Sequence, residues 1–233
     1  MPAHRAPATT WLAATGIALL TGATGCGTST SPPASSGIQR PTDAARAFTD
    51  AVGRTAKFKD VKFVTVTTEV VSGQATTTRT TTRSTSNPPI IETESDTGGQ
   101  VTGTVNNLAT GVLCLTHPAV GQPQTRAGRR GSASQTDPFS TFTGTSGWQF
   151  QPDVSVKGHN TWHLTAAPPG ETFGGVIKFS VNTVDVFIDA TNGKIQTVKI
   201  HSVYTNGGPA PLDVSIVDDN FVYDSGVKIT TCP

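Results

Sequence analysis

The chain has 233 residues, a formal net charge of +1 and only 14% charged side chains. So small and balanced a charge argues against DNA or RNA, and no nucleic-acid partner is expected. Gly (24) and Pro (16), with abundant Thr and Ser, point to a β-rich exported protein rather than a helical one. Residues 1–7 are short and carry a single Arg, Arg5; residues 11–20 are an apolar run; residues 21–25 are small and end at Cys26. Positive head, apolar middle and small-residue exit are the three parts of a secretory signal. The run is too short to span a bilayer, which needs about 20 apolar residues.

The exit, Ala23-Thr24-Gly25-Cys26, resembles the lipobox of bacterial lipoproteins. That resemblance implies cleavage before Cys26 and acylation of its thiol by a diacylglycerol, with palmitate among the acyl chains. The other reading is a plain secretory signal followed by a chance Cys. Two or three acyl chains hold a protein stably, so the mature chain is expected outside the cytoplasm, tethered to the cell membrane. Residues 1–25 are then a removable signal, 26–40 the lipidated Cys and a flexible tether, and 41–233 one folded domain. The roughly 200 residues that remain suit a single domain, two at most. With Cys26 assigned to lipid, Cys114 and Cys232 remain as an even pair, oxidised outside the cytoplasm or else two buried free thiols.

Thr42 or Asp43 is placed to cap a helix running to about Thr55, with Ala44, Ala45, Phe48, Val52 and Ala56 on one face. The period then becomes two. Val64, Val66, Thr68 and Val70 alternate with Phe63, Thr65, Thr67 and Glu69, a half-buried strand. Residues 75–86 are nearly all Thr and Ser, and read as a second strand with a wet outer face or as a disordered polar tract. Residues 90–95, 101–106 and 111–116 are further strands, the last holding Cys114. Residues 117–136 read as a loop whose Arg126, Arg129 and Arg130 touch anionic head groups or are simply solvated. Asp137-Pro138 starts a short helix carrying Phe139 and Phe142. Strands follow over 148–155, 158–166, 176–188, 194–203, 212–217, 221–223 and 227–231. Asn192-Gly193 is the strongest hairpin signal among them.

The expected class is α+β, mainly β: a strongly curved antiparallel sheet, with the N-terminal helix and the short middle helix on its concave side. Val64, Val66, Trp162, Leu164, Val186, Ile188, Val198 and Ile200 are the inward candidates, lining an apolar cavity or packing as core. Catalysis has little support. Gly144-Thr145-Ser146-Gly147-Trp148 lacks the closing Gly of a nucleophile elbow. His159 and His163, four residues apart on a strand, are separated by about 13 Å, too far for one metal. Asp213, Asp218, Asp219 and Asp224 lack the spacing of a calcium loop. Neither an enzyme nor a cofactor is expected.

Several motifs in order carry a resemblance. They are the lipobox, a helix before long polar strands, Val156-Lys157-Gly158-His159-Asn160-Thr161-Trp162-His163-Leu164, the hairpin Val184 to Lys194, and a tail that closes on Cys232-Pro233. Together they resemble the LppX/LprG-like lipoproteins, relatives of the lipoprotein carriers LolA and LolB. Cys114 and Cys232 are not part of that pattern. The resemblance implies a half-barrel whose cavity binds a lipid, a glycolipid or a lipidated ligand for movement within the cell envelope. The alternative it allows is a protein-interaction or sensor module with the same fold and no lipid cargo. A monomer is expected.

Overall fold

The computed structural model describes residues 37–118, 120–121, 123–132, 138–139, 142, 144–167, 178–205, 211–229 and 232. The signal, Cys26, most of the tether and Asp137 lie outside these residues. A helix, α1 (Ala44–Thr55), opens the folded part. Asp43 caps it by accepting a hydrogen bond from the Arg46 N–H at 2.7 Å. Its buried stripe is Ala44, Ala47, Phe48, Ala51, Val52 and Thr55.

Among the described residues eleven antiparallel strands follow. The first six are β1 (Asp60–Val71), β2 (Gln74–Ser86), β3 (Pro89–Thr97), β4 (Gln100–Asn107), β5 (Val112–Leu115) and β6 (Thr125–Ala127). The rest are β7 (Gln149–Val156), β8 (His159–Ala166), β9 (Lys178–Asp189), β10 (Ile195–Thr205) and β11 (Leu212–Tyr223). They form one sheet in the order β6-β5-β4-β3-β2-β1-β11-β10-β9-β8-β7. Two meanders are therefore joined by one long-range pairing, β1 with β11. The sheet does not close, and the architecture is a mainly β half-barrel with α1 packed on one face.

The short hairpins follow from local chemistry. Ser72-Gly73, Gly98-Gly99 and Lys157-Gly158 each place two successive residues at positive φ. That is the two-residue turn whose twist matches the strands it joins. At the β9–β10 turn the buried Asp189 carboxylate accepts from the Thr191 N–H at 2.7 Å and from Asn192 Nδ2 at 3.1 Å.

Three expectations are corrected. Residues 125–127 of the predicted loop form β6, held to β5 through Cys114↔Thr125 and Leu113↔Arg126. Residues 212–217 and 221–223 belong to one strand, in which Asn220 (φ 57°) is absorbed as a bulge. Residues 227–229 are not a strand. Their neighbourhood is claimed by Asp60, whose carboxylate accepts the N–H groups of Ser225, Gly226 and Val227 at 3.0–3.2 Å. Of the middle helix, the described part shows two successive turns, Phe142 N–H to Phe139 O and Thr145 N–H to Phe142 O, both 3.0 Å.

Register assigns every strand residue to a face. The inner face, under α1, carries Val61 and Phe63 of β1, Trp162, Leu164 and Ala166 of β8, Val184, Val186 and Ile188 of β9, and Ile195 and Val198 of β10. Phe48 of α1 stacks on Trp148 with ring centroids 4.3 Å apart, which locks the helix to the sheet. The outer face is closed near β5 by a disulfide between Cys114 and Cys232, with Cα atoms 5.9 Å apart. Its loop spans 118 residues, and such closure contributes about 4–5 kcal/mol by the chain-entropy model. The tail is thus held at Asp60 and again at Cys114, and Val105, whose carbonyl faces Cys232 Sγ, is buried.

The core makes a direct prediction. Leu164 is fully buried in the cluster, so Leu164→Ala should lower unfolding free energy by about 2–5 kcal/mol. Val101→Ala, at an exposed position, should stay within about 0.5 kcal/mol. Urea denaturation followed by tryptophan fluorescence checks both.

Candidate ligand-binding face

The inner face changes character across the sheet. Under α1 it is dry: Trp162, Leu164, Val186, Ile188 and Val198 are all in the packed core, and Ile200 packs partly buried against its edge. Beyond that edge lie half-buried Ile216 and Leu212 on β11. Then come hydroxyls. Thr65 and Thr67 of β1, Thr78, Thr80 and Thr82 of β2, Thr93 and Ser95 of β3, and Thr104 of β4 all share this face. Several bridge neighbouring strands: Thr78 to Thr97 and Thr80 to Ser95 at 2.8 Å, and Thr93 to Thr104 at 2.9 Å. The Thr-rich tract is therefore a strand, and its hydroxyls face inward as well as outward.

Val64 and Val66 are not on this face. β1 and β2 pair without interruption from Asp60 to Val71, so alternation puts Val61, Phe63 and Thr65 inward and Val64 and Val66 outward. The register shift beside Lys62 and Val64 is the extra residue of β11 and does not turn β1 over.

Asp218 stands where the apolar and hydroxyl zones meet. It lies opposite Val198 on one side and Thr65 on the other, and accepts the Thr65 hydroxyl at 2.6 Å. Burial pushes its carboxyl above the usual range, and the Thr65 hydrogen bond only partly offsets this. A half-desolvated carboxyl among hydroxyls is a ready partner for the polar part of an amphiphile. In the sequence Asp218 is one of four scattered acids, with Asp213, Asp219 and Asp224. Its signal was an acid in phase with the apolar residues of its own strand, Ile216 and Val214.

The other acids are engaged elsewhere. Burial works to raise Asp219, but the Lys157 ammonium at 2.6 Å, the Asn220 N–H and Thr197 outweigh it and hold the carboxyl low. Asp224 is held low by the Lys59 N–H and by Lys194. Asp213 meets His201 at 3.0 Å. His159 and His163 have separate partners, Asp189 at 3.1 Å and Asp185 at 2.8 Å. Among the described residues no group of three or more His, Cys, Asp or Glu side chains is placed to hold a metal. Arg126, Arg129 and Arg130 are exposed, and Arg130 Nε donates to the Thr110 carbonyl at 3.3 Å. No helix among the described residues is long and apolar enough to cross a membrane.

No protein-family model and no curated protein matches the sequence. Solved structures do. Lipoprotein LppX of Mycobacterium tuberculosis superposes with a TM-score of 0.52 at 11% identity, covering 80% of this chain and 98% of that one. The chain has the LppX fold. LprF of Mycobacterium bovis matches with a TM-score of 0.44 at 10% identity, over 81% of this chain and 96% of that one. A MucA/MucB complex of Pseudomonas aeruginosa gives 0.40 at 12%, over 81% and 59%.

The raised Asp218 carboxyl makes a pH prediction. A carboxyl raised in the folded state favours folding while it is protonated, and that contribution is lost as pH rises through its folded value. Asp218→Asn keeps an acceptor for Thr65 and removes the charge. It should raise the melting temperature at pH 7, and the gain should shrink as pH falls through the carboxylate range. Calorimetry of both proteins between pH 3 and pH 7 checks this, with about one pKa unit equal to 1.4 kcal/mol.

Proposed function

We propose that this chain is a membrane-anchored extracytoplasmic lipoprotein, held by acylated Cys26 and a short tether. Its single domain binds a lipid, a glycolipid or a lipidated ligand on the inner face of the half-barrel. The reading rests mainly on the apolar-to-hydroxyl transition of that face, Ile200 and Ile216 on one side and Thr65, Thr80 and Ser95 on the other. An acyl chain gains about 0.8 kcal/mol per CH₂ removed from water, so binding requires no catalytic group. Hydroxyls and Asp218 supply hydrogen bonds for a head group that carries its own donors and acceptors. The LppX fold and the secretory signal ending in Cys26 agree with this reading.

One observation favours a second reading. Five of the predicted lining residues, Trp162, Leu164, Val186, Ile188 and Val198, are already packed as core. A sensor or protein-interaction module of the same fold would be filled in this way.

Native mass spectrometry after mild detergent extraction separates the two. The carrier reading expects a bound lipid mass that Ile216→Glu removes and Ser215→Glu, one residue along on the outer face, does not. A clean ligand-free mass in every preparation would sink it. The anchor has its own test: an alkyne fatty acid fed to cells should label the wild-type chain and not Cys26→Ala, and equal labelling would end the anchor proposal.

A further inference from the structure

The domain begins beside a small basic hollow. Its volume is about 290 Å³, and its lining is Gln39, Arg40, Pro41, Thr42, Arg46, Asp50 and Arg54. Two of the three arginines have acids. Arg40 meets Asp153 at 2.8 Å and lies over the Phe150 ring, and Arg46 reaches Asp50 at 3.9 Å. Arg54 differs. Its Nη1 is buried and has no hydrogen-bond partner among the described residues.

That atom is packed against Gly193 rather than open to the hollow, so what Arg54 brings to the lining is a guanidinium charge with no carboxylate partner among the described residues. Two carboxylates against three guanidiniums leave one positive charge in excess, in a hollow far larger than the roughly 30 Å³ that one water occupies. Arg46, Arg54 and Thr42 all line this hollow, and guanidinium forks pair with phosphate oxygens as well as with carboxylates such as that of Asp50. The crowding is specific. A Cβ at Gly193 (φ 69°) would sit 2.5 Å from Arg54 Nη1, so a residue with no side chain is what leaves the guanidinium its position beside the β9–β10 turn.

The hollow also lies at the point where the tether meets the domain. The Ile38 N–H donates to the Ala190 carbonyl at 3.1 Å, and Gln39 to Thr42 form the rim. The chain from Cys26 to Gly37 cannot reach further than about 40 Å even if fully extended. An acylated Cys26 therefore holds the hollow within that distance of lipid head groups, where anionic phosphates are concentrated.

We propose that Arg46 and Arg54 form a phosphate-binding site occupied by the head group of an anionic phospholipid of the bilayer that carries the anchor. The site is separate from the inner-face cargo site and sets the domain's orientation on the membrane. It rests on the anchor reading for its source of phosphate, and on the local geometry for its chemistry.

The test uses the full acylated chain reconstituted in phosphatidylcholine vesicles, with or without phosphatidylglycerol. Arginine modification by phenylglyoxal is mapped by mass spectrometry. Phosphatidylglycerol should slow modification of Arg54 several-fold, and less so at high salt, while Arg79, exposed on the outer face of β2, is unaffected. In Arg54→Lys the protection of Arg46 should weaken, with the circular dichroism unchanged. A third arm adds inorganic phosphate to phosphatidylcholine vesicles. Protection by inorganic phosphate but not by phosphatidylglycerol would overturn the head-group assignment. No protection in either arm would overturn the site itself. Intact mass of the same preparation reports acylation, so a failed anchor is seen separately from a failed site.

Discussion

The pairing of β1 with β11 is the constraint on which the rest depends. Each meander on its own, β1 to β6 and β7 to β11, leaves a long edge of unsatisfied backbone groups. Joining them removes two edges at once and leaves only β6 and β7 at the borders. The joint also sets the phase of the inner face. Thr65↔Asp218 and Thr67↔Ile216 decide that the acid and the isoleucine point inward together. A slip of one residue would turn Asp218 out and bring Val217 in, exchanging every neighbour on that row. The Thr65–Asp218 hydrogen bond therefore marks the register as well as polarising the site.

The ends of this joint are held by a second device. Asp60 opens β1, is buried, and spends its carboxylate on the three N–H groups that follow β11. The Lys59 N–H in turn donates to Asp224 at 2.7 Å. The chain is thus turned away from the ladder just after Tyr223 and directed across the outer face, where the disulfide fixes it to Cys114. On the same outer face Arg83 pairs with the buried Glu92 at 3.2 Å. Inner and outer faces are therefore closed by different means: a helix on one, a cross-linked tail on the other.

Local signals were legible in the sequence because they act locally. Asp43 before an apolar period of three and four defined α1, and two-residue alternation with Gly-containing turns defined most strands. What escaped was whatever depends on a distant partner. Val64 and Val66 read as inward because they alternate with threonines, but both faces of β1 are mixed, and the decision was made upstream by Val61 and Phe63 packing in the core. The three residues of β6 carry no period of their own and are strand only because β5 presents an edge to them. The tail at 227–229 has a strand-like sequence and loses its ladder to a carboxylate 165 or more residues away. Asp218 was visible as a residue, while its burial was a product of the joint.

Core packing also leaves only part of the inner face to the proposed ligand. Large apolar side chains under α1 are consumed in holding the helix, so they are not free to receive an acyl chain while α1 stays docked. The part of the inner face left for a ligand begins at Ile200 and Ile216 and runs into hydroxyls. A wholly hydrocarbon ligand would leave those hydroxyls without acceptors other than one another. An amphiphile does not: its chain matches the isoleucines and its head matches the Thr and Ser ladder. The strand-by-strand change of composition, from Val and Ile on β9 and β10 to Thr on β2, is thus a polarity gradient laid across one surface, and the proposed amphiphilic ligand carries the same gradient along its length.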